Sequence, residues 1–106
     1  MTRLISLNAA KLDLTGIDIA NAESADNVPV IAGEEFLLNP ANIIDVKVVE
    51  VFKEIREAKG EHHKGNYKRG LTATANVTII STAVNGIVCR YEVFQDLNTV
   101  RKLTND

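Results

Sequence analysis

Few side chains in this sequence carry chemistry by type and spacing. The two histidines, His62 and His63, are adjacent and follow Glu61. Neighbouring residues of a strand point to opposite faces, and a structural zinc site normally needs four well-placed ligands. That segment therefore reads as a solvated loop, and no metal or other cofactor is expected. Cys89 is the single cysteine. It excludes an internal disulfide framework, and its apolar-flanked position reads as a small buried residue. Phosphate-loop, dinucleotide-glycine and nucleophile-elbow patterns are absent from the sequence. No acid–base pair stands beside a nucleophile, so the chain is expected not to be an enzyme.

The remaining polar groups suit binding. Lys64, Tyr67, Lys68 and Arg69 form a basic tip with one aromatic ring, a pattern that fits phosphates or a stacked base. It also fits a solubilising loop. Asn98, Arg101 and Asn105 share one helical face, and amide and guanidinium groups together suit a phosphate and a base edge. A plain solvent-exposed face has the same composition. Arg90 lies inside a strand beside Tyr91, where it would line a groove or an interface through bidentate contacts with an anion. Tyr91 and Phe94 are the candidate stacking rings, and their parity lets only one of them face a ligand. The candidate ligand-binding set is thus Arg101, Asn98, Arg90, Tyr91, Phe94, Lys68 and Arg69.

The elements that would position these groups are mostly strands. Arg3 to Leu7 is a short β-like run ending at Asn8. Lys11–Leu14 and Ile17–Ile19 alternate polar and apolar residues, with Gly16 as a turn or bulge between them. Residues 20–27 read as a loop. Val28–Ile31 contains Pro29 and reads as an edge strand. Glu35–Leu38 is a further strand, closed by Asn39-Pro40. Residues 43–58 fit a β-branched strand, although Val48, Val51, Phe52 and Ile55 also fit a helical stripe. The strand is favoured because a matching Thr/Val/Ile-rich run follows at 71–83. Between them, Lys59 to Gly70 reads as the polar tip of a long hairpin arm. Asn85-Gly86 between two β-rich runs signals a type I′ turn. Asp96 caps a short helix over 97–105, with Leu97, Val100 and Leu103 or Thr104 as its buried stripe. The expected fold is mainly β, an antiparallel sheet with a long hairpin and one short C-terminal helix, in a single domain over 1–106.

Composition sets the frame. The chain has 106 residues, 45 % hydrophobic and 25 % charged, which is globular. So short a chain buries a modest fraction of its surface, and a homo-oligomer, most simply a dimer, is expected to supply the rest. Residues 1–50 carry three basic and eight acidic groups, and residues 51–106 nine and six. The basic second half would attract an anionic ligand, or the two halves would complement each other between subunits. The overall charge of −2 lacks the basic excess of a general nucleic-acid binder. The start of the chain shows no apolar run with a cleavage site, and no apolar stretch approaches the ~20 residues of a membrane helix. A soluble protein without a membrane or nucleic-acid partner is expected.

The order of the pieces is informative. Arg3-Leu4-Ile5-Ser6-Leu7-Asn8 is followed by Phe36-Leu37-Leu38-Asn39-Pro40-Ala41-Asn42-Ile43-Ile44. Val77 to Thr82, Asn85-Gly86, Arg90 to Phe94 and a helix with Val100 come next. This succession resembles the FlbD-like pattern over about half the chain, and it is similar to small phage sponge proteins of the Thoeris anti-defence type. Insertions at 9–33 and about 51–73, relative to the shorter FlbD-like chains, point to the sponge group. That resemblance implies an oligomer that binds a cyclic nucleotide signal, a cyclic ADP-ribose isomer or cyclic oligonucleotide, without cleaving it. It also implies a host-cytoplasmic location and a phage origin. Tyr91, Phe94, Asn98 and Arg101 are of the right types for base, ribose and phosphate. The alternative is a structural or regulatory interaction protein of FlbD-like type with no small-molecule ligand.

Overall fold

The computed structural model describes residues 3–17, 24–54 and 72–105. Strands β1 (Ile5–Leu12), β2 (Ser24–Ala25) and β3 (Val30–Leu38) precede a 3₁₀ turn at Pro40–Asn42. Strands β4 (Ile43–Glu54), β5 (Thr72–Val84) and β6 (Ile87–Val93) follow, and helix α1 (Leu97–Asn105) ends the order. The fold is therefore mainly antiparallel sheet with one short C-terminal helix. No helix among the described residues is long and apolar enough to cross a membrane.

β5 is the organising strand. It pairs with β4 from Ile43↔Thr82 to Glu54↔Thr72. Its other edge is shared by β6, opposite Thr78–Val84, and by β2, parallel to Thr72–Ala73. Residues 43–54 are thus strand, and the helical stripe through Val48 and Phe52 is not used. The ladder runs out to Glu54↔Thr72 as a long hairpin requires. The tip, with His62, His63, Lys64, Tyr67, Lys68 and Arg69, lies outside the described residues.

Sheet pleating then assigns two cores. Even-numbered β5 residues face one side, where Ile80 packs with Ile5, Leu7, Leu38, Val93 and Val100. Odd-numbered residues face the other, where Ala73, Ala75 and Val77 pack with Val28. The β1–β3 ribbon serves both. Ile5 and Leu7 enter the first core, whereas Ala10 and Leu12 lie against the second. The parity switch coincides with a register irregularity between Asn8 and Ala10. There β1 meets β6 through a single pair, Ala9↔Val93. Gly33 lets the strands close up, since a Cβ on it would stand 3.0 Å from the Ala9 carbonyl oxygen.

The first segment differs from the expected short run ending at Asn8: it continues as one strand to Leu12. Its apolar residues change from odd to even positions midway, so no single alternation spans it. Val28–Ile31 and Glu35–Leu38 likewise join into one outer strand, with Pro29 just ahead of it. The two-residue β2 falls within the segment read as a loop.

The sheet also coils strongly. Lys53 Nζ lies 2.7 Å from Glu92 Oε1, although their β5 partners are Ala73 and Ile79. Six residues span about 20 Å along a flat strand, so twist and curl bring the pair together.

Candidate functional site

The strongest candidate groups sit where β6 turns into α1. Phe94 donates its amide to the Asn8 carbonyl at 2.8 Å. Gln95 accepts from the Asn8 amide through Oε1 and donates from Nε2 to Asn8 Oδ1, both at 2.9 Å. Asn8 in turn donates to the Gly33 carbonyl at 3.2 Å. This network ties the end of β6 to the centre of the β1–β3 ribbon. Gln95 carries no local sequence signal, because its partner is 87 residues away.

Asp96 then starts the helix. Its Oδ1 accepts from the Thr99 amide at 2.7 Å, as expected of an N-cap. Hydrogen bonds from the Thr99 amide and hydroxyl, with a smaller contribution from the Lys102 charge, hold its carboxyl below the ordinary 3.8. At the other end, Arg3 Nη2 donates to the Leu103 carbonyl at 2.6 Å, where a cation also complements the helix dipole. Val100 is fully buried and Leu97 and Leu103 are half-buried, so the expected stripe holds. Asn98, Arg101 and Asn105 are exposed. Among the described residues the Arg101 guanidinium makes no hydrogen bond or salt bridge.

The other candidates diverge. Tyr91 opposes Ile80 on the first core face, while Arg90 opposes Ser81 on the other. The Tyr91 ring stacks on Phe36, with centroids 5.5 Å apart and planes 22° from parallel, so one ring face is already covered. Phe94 is exposed and lines a cavity of about 160 Å³ with Val30, Val48, Asn76, Asp96 and Leu97. Pockets for drug-sized ligands run to about 300–1,000 Å³, and Asn98 and Arg101 do not line this one. Cys89 is exposed, not buried, because no described element lies over this part of β6. Among the described residues no group of three His, Cys, Asp or Glu side chains could hold a metal ion.

The candidates among the described residues therefore form no single pocket within one chain. They present an exposed amide and guanidinium on a helix held at both ends, and an exposed aromatic ring, Phe94, three residues before that helix begins. The chain matches no protein-family model, no curated protein and no solved structure.

Proposed function

We propose that this chain is a non-enzymatic binding protein that works as a symmetric oligomer and sequesters an anionic cyclic nucleotide between subunits, as a phage anti-defence sponge would. The observation that carries this reading is the exposed Asn98–Arg101 pair on α1. Both ends of that helix are fixed, by Asp96 and by Arg3, so the two side chains start from a rigid base. Arg101 takes phosphate, and Asn98 takes ribose or a base edge. Phe94 supplies the stacking ring, since Tyr91 is engaged with Phe36. Convergence of groups from two chains suits a protomer whose cavity is small. Arg90, Lys68 and Arg69 come from the same or the neighbouring chain.

The test is a thermal-shift screen with cyclic nucleotides, because a ligand of the native state raises the melting temperature. Titration calorimetry with the tightest binder follows. One charge-assisted contact is worth about 1.5–3 kcal/mol, so Arg101→Ala weakens binding roughly ten- to a hundred-fold and leaves the fold intact. Chromatography recovers the nucleotide unchanged. Undiminished affinity removes Arg101 from the site. No shift with any nucleotide favours the second reading, an interaction protein without a small ligand. That reading draws on the exposed apolar residues Val84, Ile87 and Val88 around the β5–β6 turn.

A further inference from the structure

β4 is an outer strand. Among the described residues it pairs with β5 alone, and its free edge runs from Ile43 to Glu54. Val48 is 53 % exposed on it and Phe52 68 %. A long open edge with exposed apolar side chains invites a further strand. We propose that its occupant is β4 of a second copy of this chain, paired antiparallel about a two-fold axis at Val49.

Symmetry and charge select that register. Antiparallel strands of identical chains are related by a two-fold axis normal to the sheet, and directly opposed side chains lie on one face. An even-numbered residue must then oppose an even-numbered one, so the axis passes between a residue and its own copy. The regular part of β4 runs from Asp45 to Glu54, past the irregularity at Ile43/Asp45. Registers centred on Val48, Val49, Glu50 or Val51 pair most of it. Centring on Glu50 sets Glu50 against itself and Lys47 against Lys53 of the partner subunit. Centring on Val48 or Val51 opposes no charges at all. Centring on Val49 sets Asp45 against Lys53 of the partner subunit, twice by symmetry. The same register sets Phe52 against Val46 of the partner subunit and Val49 against its own copy. Opposite charges and aromatic–β-branched pairs are the favourable cross-strand combinations. Within the protomer Lys53 holds Glu92 at 2.7 Å and Asp45 lies 3.8 Å from Lys47, so this register brings two existing ion pairs together across the axis. The axis also places both α1 helices on one side of the joined sheet.

This inference stands apart from the nucleotide reading, and its test uses no nucleotide. Light scattering of the wild type gives about twice 11.6 kDa at micromolar concentration. Asp45→Lys, an exposed position, weakens dimerisation about ten-fold or more while circular dichroism stays native. In a Cys89→Ser background, Val49→Cys cross-links on mild oxidation and Phe52→Cys does not. A mass near 11.6 kDa overturns the proposal. So does a dimer that Asp45→Lys leaves unchanged, or one in which Phe52→Cys cross-links and Val49→Cys does not.

Discussion

Asp96 shows how one side chain sets the geometry of the candidate site. Its carboxylate accepts from the Thr99 amide at 2.7 Å, and protonation removes that acceptor's charge. The folded state binds the proton less readily than the unfolded chain, whose value is near 3.8. The cap's contribution is therefore complete above that value. It is lost as pH falls below it and through the lower folded value. Urea denaturation between pH 6 and about 2.5 shows a wild-type decline that Asp96→Asn reduces. An equal decline in the variant assigns the acid sensitivity elsewhere. Asp96 was legible from sequence, because a cap acts within one turn. Gln95 and Arg3 were not, because their partners, Asn8 and Leu103, are brought close only by the fold.

At the scale of elements, the β1–β3 ribbon depends on a close approach. Gly33 stands where a Cβ would press on the Ala9 carbonyl at 3.0 Å, and that carbonyl belongs to backbone pinned between β3 and β6. Gly33→Ala forces the two strands apart and costs about 1–3 kcal/mol, the usual range for overpacking. Chemical denaturation measures it, and an unchanged midpoint means that the ribbon relaxes freely. The β5–β6 turn behaves differently. Asn85 and Gly86 have φ of 51° and 80°, the pair of positive angles that a type I′ turn demands. That turn was readable because two adjacent residues define it. The ribbon was not, because its strands meet across intervening sequence and its apolar parity changes midway.

At the scale of the whole molecule, the hydrophobic core of the protomer is small. The largest fully buried side chains among the described residues are all aliphatic: Leu7, Ile80, Val93 and Val100. Ile80→Ala leaves a cavity beneath the helix and costs about 2–5 kcal/mol, a large part of a small domain's ~5–15 kcal/mol. Phe52→Ala removes a larger side chain, yet at high dilution it changes the unfolding midpoint little. Its effect falls on assembly instead, as a lower dimer fraction in sedimentation at micromolar concentration. Equal losses of stability at high dilution would place Phe52 in the protomer's own core.

Local rules carried much of this architecture. Alternation and β-branched content marked β4, β5 and β6. Asn85-Gly86 marked the hairpin, and Asp96 with the Leu97, Val100 and Leu103 stripe marked α1. These features need only neighbours within a turn or two, so sequence alone determines them. Which faces the candidate residues occupy was decided by tertiary structure. Parity separated Arg90 from Tyr91, but only the packing of β3 put Phe36 over Tyr91. The location of Cys89 on an uncovered stretch of β6 follows from where the β1–β3 ribbon crosses, not from its apolar neighbours. Burial depends on which layer lies over a strand, and that layer is supplied by residues far away in the chain.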